Sequence, residues 1–284
     1  MKKPPRPRSL RQEIRAEAKR RPAVTAVYLI LRLIVIVTMV SAILRREYES
    51  VFVCLLVLVL FLLPVFLQKK LRFELPDTLE IIILLFIFAA EILGELQCYF
   101  VEYPHWDTML NTTSGFLAAA VGFSLIDLLN RDTKIKFELS PLYVAAAAFC
   151  FAMTVGVLWE FVEFAADRIF LLDMQKDTVV HTISSVMLDE TNRNIPIVVK
   201  DIQSVTVNGV DLGLGGYLDI GLYDTMEDLF VSFIGALTFS TIGYFYLKKR
   251  GKGNFARQFI PTIREDEDHA EKATLDVSET RDGT

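Results

Sequence analysis

PLYVAAAAFCFAMTVGVLWEFVEFA, residues 141–165, decides the fold. From Pro141 to Trp159 it carries no charge, and its length is near the roughly 20 residues a helix needs to cross a bilayer. It opens on Ser140-Pro141, an N-cap followed by proline at the first helical position. It closes on Trp159-Glu160-Phe161-Val162-Glu163, where two acids three residues apart share one helix face. A carboxylate in hydrocarbon is costly, or takes up a proton, unless it has a partner. An acid inside such a run is therefore a candidate functional group.

Similar runs extend on either side. The chain has 284 residues, 52% of them hydrophobic, with a mean hydropathy of +0.39. Those values place it among multi-pass membrane proteins with one membrane domain. The expected fold is an all-α membrane protein with six transmembrane helices and a small extracytoplasmic β-hairpin insertion between helices five and six. The expected spans are 23–44, 51–67, 78–100, 108–129, 141–165 and 226–247, within a membrane domain 23–248. Residues 1–22 form a basic leader, and residues 249–284 a largely disordered polar tail. The leader reads as preceding an uncleaved helix, because its apolar run is longer than a signal-peptide core. Asp77 with Glu80, and Asp224 with Glu227, fit capping boxes, and Asp107-Thr108 fits a cap. Cys54, Cys98 and Cys150 are scattered through apolar runs and read as small buried hydrophobes.

Lysine and arginine set the orientation. They crowd the leader, the loop with Lys69, Lys70 and Arg72, the loop with Arg131, Lys134 and Lys136, and the tail from Lys248. With six spans these segments share one side, so both termini are expected in the cytoplasm of a cell-membrane protein. Ser9 to Arg21 is expected to lie on the anionic inner surface. The sizeable segment on the opposite side, 177–221, is rich in β-branched residues and contains the hairpin signal Asn208-Gly209. It is expected to form a β-rich cap over the outer helix ends, open to a protein partner.

This orientation collects acids at the outer leaflet. Glu91 and Glu95 lie in the third span, and Asp107 follows His105 at the mouth of the fourth. Glu160 and Glu163 lie at the end of the fifth, and Asp219, Asp224, Glu227 and Asp228 lead into the sixth. Like charges three or four apart on a helix repel, so each pair needs protons, water or a cation. Oxygen ligands with an imidazole suit a divalent metal ion. The candidate ligands are Glu91, Glu95, His105, Asp107, Glu160, Glu163, Asp224 and Asp228, with Asn111, Trp159, Asp219 and Arg32 as further members of a polar pocket. Blander readings stand beside this one. Asp107, Asp224 and Glu227 suit helix starts, and Asp167, Asp173 and Asp177 suit solvated loops. Glu91 and Glu160 could join helices by hydrogen bonds. Arg32 either pairs with Glu91 or snorkels inward. Gly115 with Ala119, Ala118 with Gly122, and Ser232 with Ala236 and Ser240 follow the small-xxx-small spacing of close helix contacts. Spans four to six are thus expected to form a tight bundle, with spans one and two peripheral.

His105-Trp106-Asp107, Asn111, Ser114-Gly115-Phe116, Trp159 to Glu163, Asp219 to Asp228 and Gly235-Ala236 together resemble the YjdF-like family of predicted bacterial membrane proteins. More remotely the pattern is similar to VanZ-like membrane proteins. The resemblance covers roughly residues 78–247. It implies a fold and a set of motifs, without a reaction.

Gly-x-Ser-x-Gly and His-Glu-x-x-His are absent, and so are a glycine-rich phosphate loop and a nucleic-acid patch. The expected function is an outward-facing acidic pocket that binds a cation, serving transport of a cation or small polar solute. Two alternatives remain open: a metal-dependent hydrolase acting on a lipid or envelope substrate, and a non-catalytic scaffold whose acids serve packing.

Overall fold

The computed structural model describes residues 19–71, 73–131, 139–191, 193–249, 258–259 and 262–263. Most of the basic leader, Arg72, Lys134, Lys136 and the acidic tail lie outside the described residues. The protein is mostly helical. Five of its helices are long and apolar enough to cross a membrane.

The first, α1 (Pro22–Arg45), starts on a proline and ends at Arg46 in the left-handed conformation. Leu29, Leu33, Val37 and Leu44 stay exposed along it, as a lipid-facing surface would. The second run is broken. α2 (Tyr48–Leu60) and α3 (Leu63–Leu71) are separated at Phe61-Leu62. Pro64 is the cause: it has no N–H for the Leu60 carbonyl, and its ring crowds that turn. The loosened Phe61 carbonyl accepts the Tyr28 hydroxyl of α1.

The third expected span takes a form that periodicity does not announce. α4 (Asp77–Phe88) passes directly into a wider π-helical stretch, Ala89–Leu96, with helical dihedrals at the junction. A short α5 (Tyr99–Glu102) follows Cys98, which holds a left-handed conformation. α1, α2, α4 and the π stretch share one apolar core of Leu31, Val35, Cys54, Val57, Phe61, Leu84, Ile87 and Ile92. Cys54 is buried as expected, whereas Cys98 and Cys150 are exposed and unpaired. Cys98 lies at a helix break and Cys150 on an outward face of its helix.

A polar latch ties α1 to α4 at one end of the bundle. Arg21 contacts Asp77 through Nε at 2.5 Å and Glu80 through Nη1 at 2.7 Å, and donates to the Leu75 carbonyl at 2.9 Å. Gln68 also donates to the buried Glu80. Asp77 and Glu80 therefore do not form the expected capping box. Pro76 holds the N-cap position, and both acids turn to the arginine.

The second core is built by α6 (Trp106–Arg131), α7 (Pro141–Phe170) and α8 (Leu222–Lys248). Ser140 caps α7 as expected, accepting from the Tyr143 amide. Phe123, Val144, Ala148, Ala152, Ala236 and Phe239 fill the centre, and Leu75 and Leu79 join it to the first core. α6 and α8 touch backbone to backbone. A Cβ on Gly115 would meet the Ser232 carbonyl oxygen at 2.2 Å, and one on Gly235 would meet the Thr112 oxygen at 2.0 Å.

Two antiparallel segment pairs show which loops share a side. β1 (Phe73–Glu74), just before α4, pairs with β8 (Thr262–Ile263) in the tail. At the other end, β2 (Thr178–Val180) pairs with β7 (Tyr217–Asp219) and closes the base of the insertion. Within it, β3 (Ile183–Ser185) pairs with β4 (Ile197–Val199), and β5 (Thr206–Val207) pairs with β6 (Val210–Asp211) across Asn208-Gly209. The turn between β3 and β4 is organised by Asp189, which accepts from Thr191, Arg193 and Ile195. The Thr191 hydroxyl foremost, then the backbone amides, draws its carboxyl down to about 2.

Two stability measurements follow from these contacts. Arg21→Ala leaves the buried Glu80 without its cation and lowers stability by about 3 kcal/mol, read by chemical denaturation in detergent. Adding Glu80→Gln to that variant restores part of the loss. Gly235→Ala forces α6 and α8 apart and costs about 1–3 kcal/mol, read as a lower melting temperature.

Candidate functional site

The start of α6, the last third of α7 and the start of α8 lie at the same end of the second bundle. Five of the carboxylates at that end fall into two groups. Ligand-capable oxygens of Asp107, Asp224 and Asp228 lie within 4.8 Å of one another, and so do those of Glu160, Glu163 and Asp228. Asp228 belongs to both groups. It is 5% exposed and Glu160 is 7% exposed.

Each helix places its acids by simple geometry. Asp107 is the second residue of α6, so it sits at the positive end of the helix dipole. Asp224 does the same in the first turn of α8. Asp228 lies one turn deeper on the same face, about 6 Å further along the axis. Glu160 and Glu163 enter from α7, which runs the other way, and the dipole ends of α6 and α8 offset only part of the gathered charge.

The hydrogen bonds around the cluster are few and uneven. Asn111 donates to Asp107 at 3.1 Å, and the Asn111 carbonyl accepts from Ser232 at 3.1 Å. Trp159 Nε1 donates to Glu163 Oε1 at 2.8 Å. The Lys176 amide donates to Asp224 at 2.8 Å. Glu160 Oε2 and Glu163 Oε2 are buried without a donor. Among the described residues, the salt bridges all involve Arg20 or Arg21, so none reaches the cluster.

The loop leaving α7 is folded back toward the same end. Asp167 accepts from the Met174 and Gln175 amides at 2.7 and 2.9 Å, so it is a loop-closing group rather than a solvated acid. Gln175 Nε2 donates to Thr225 Oγ1 in the first turn of α8. Asp219 accepts from the Tyr223 amide at 3.0 Å and satisfies the start of α8, the role that the sequence suggests for Asp224. With Gly221 at the N-cap, Asp224 is left to face the cluster, and Glu227 instead meets Thr108.

Other candidates lie elsewhere. Glu91 and Glu95 sit on the π stretch, which packs against α1 and α2, and they stand outside both groups. His105 is exposed on the turn before α6, also outside them. Arg32 does not pair with Glu91. Its guanidinium lies 4.3 Å from the Tyr28 ring centroid and donates to the Tyr28 hydroxyl at 3.1 Å. Gln175 and Thr225 were not singled out by the sequence. The spacing of Asp167, seven residues beyond Glu160 on one helix face, is a signal that could have pointed to that loop, although the sequence alone suits Asp167 to a solvated acid.

The model of the family described as predicted membrane protein DUF2238 matches residues 26–249. The chain belongs to that family. The match spans both helical cores and the insertion of this DUF2238 protein. No curated protein and no solved structure matches it. The two acidic groups are arranged so that they could hold a metal ion.

Trp159→Phe keeps an aromatic ring but removes the N–H from Glu163. We expect a loss of about 1–3 kcal/mol without any change in oligomeric state, measured by thermal unfolding and gel filtration in detergent.

Proposed function

We propose that this protein is a cation-binding integral membrane protein, with Asp107, Glu160, Glu163, Asp224 and Asp228 as the ligands. One observation carries the reading: acids from three helices converge, three of them buried, and among the described residues no salt bridge reaches them. Such a cluster repels itself unless positive charge enters. All the ligands are oxygens, which favours a hard divalent ion such as Mg2+, Mn2+ or Ca2+. Size allows one: oxygens within 4.8 Å of one another leave a centre no more than about 2.8 Å from each, and Ca2+–O distances reach about 2.6 Å.

In this reading α4 and the π stretch act together as a sixth span, both termini are cytoplasmic, and the protein resides in the cell membrane. The distribution of lysine and arginine supports that orientation. So do the β1–β8 pair at one end and the insertion at the other. The insertion then caps the outer face and is open to a protein partner. The order of the site motifs keeps the likeness to YjdF-like proteins. In this reading the pocket opens outward, and the wholly buried Phe123, Phe239 and Val144 fill the bundle below it. Release to the cytoplasm, as transport requires, would need that half of the bundle to open.

Purified wild-type protein should gain about 2.7 kcal/mol of stability at a divalent-ion concentration 100 times the dissociation constant. With EDTA present, Asp228→Asn should be at least as stable as wild type, since it relieves repulsion, and divalent ions should no longer stabilise it. If Mg2+, Mn2+ and Ca2+ all leave the wild-type melting temperature unmoved, the acids serve packing and the reading fails.

A further inference from the structure

Resting on that reading, we propose that the site holds two divalent cations, with Asp228 as the carboxylate shared between them. The two acidic triads are distinct sets with a single common member, Asp228. That residue is 5% exposed. Glu160, 7% exposed, and Glu163, 9% exposed, each bury an Oε2 that has no donor. These unpartnered groups are the independent sign of a ligand, beyond the clustering itself.

Charge points to the same number. Five ionised carboxylates around one divalent ion keep three uncompensated negative charges, and among the described residues no salt bridge reaches them. A second divalent ion reduces the excess to one. Cation pairs about 3.5–4 Å apart with bridging oxygens are a familiar arrangement, and a carboxylate common to two adjoining triads is placed to bridge them. The outer triad of Asp107 and Asp224 lies nearer the helix starts, and the inner triad of Glu160 and Glu163 reaches in from α7. Remaining coordination positions fall to water or to oxygen atoms of an incoming ligand.

The test is Mn2+ stoichiometry on the purified full chain, by elemental analysis after desalting and by electron paramagnetic resonance. Two Mn2+ per chain with a spin-coupled signal is the expected result. Asp107→Asn and Glu163→Gln should each retain one uncoupled Mn2+, lost from opposite triads, so the outcome does not hang on one variant's folding. Asp228→Asn should lose the coupled signal altogether. One Mn2+ per wild-type chain, or two without coupling, overturns the shared centre and leaves single-cation binding standing. No bound Mn2+, together with no stabilisation by Mg2+ or Ca2+, overturns both.

Discussion

Mutual repulsion among desolvated carboxylates is the constraint around which the second bundle is arranged. Asp228, Glu160 and Glu163 are buried, and the polar groups that reach the cluster include Asn111, Trp159, the Lys176 amide and, beside Glu160, Thr225 and Gln175. Something else must hold such groups together. Part of it is packing: the aromatic and small-residue core below the cluster lets the helices approach regardless of the charge above. Part is backbone satisfaction: Asp167 and Asp219 close the chain on either side of the insertion, so that α7 and α8 arrive at the same end.

The two halves of the protein use polar groups differently. In the first, Arg21 meets Asp77 and Glu80, and Arg32 stacks on Tyr28. In the second, acids gather from three helices and, among the described residues, no salt bridge reaches them. Buried ion pairs add little net stability but are costly to break, which suits a latch between α1 and α4. Under the proposed reading, the acids that no ion pair reaches are the ones that bind a cation.

Much of this was legible in the sequence. The membrane class, the cap at Ser140, the apolar runs and the tight packing of the last three helices followed from length, proline and small-residue spacing. Five acids of the cluster were also among the candidates. What sequence could not show was which helix neighbours which. Glu91 and Glu95, four apart, resemble Glu160 and Glu163, three apart, as a pair on one helix face, yet their segment belongs to the first core and lies outside both acidic groups. The π stretch was hidden because an apolar run has no pattern that separates a wider turn from an ordinary one. Pro64 was visible, but a span drawn by hydropathy runs straight through it. The caps of α8 were misassigned because three acids near its start compete for one role, and only the β2–β7 pair puts Asp219 in place.

The glycine contact between α6 and α8 has a consequence for ionic size. Gly115 and Gly235 bring the two backbones together with no side chain between them, so the gap between the helices that carry Asp107 and Asp228 is set by main-chain atoms. Main-chain contacts yield far less than flexible side chains do. If the proposed cation sits between these helix ends, an opening framed in that way would have a nearly fixed radius and would select among ions by fit.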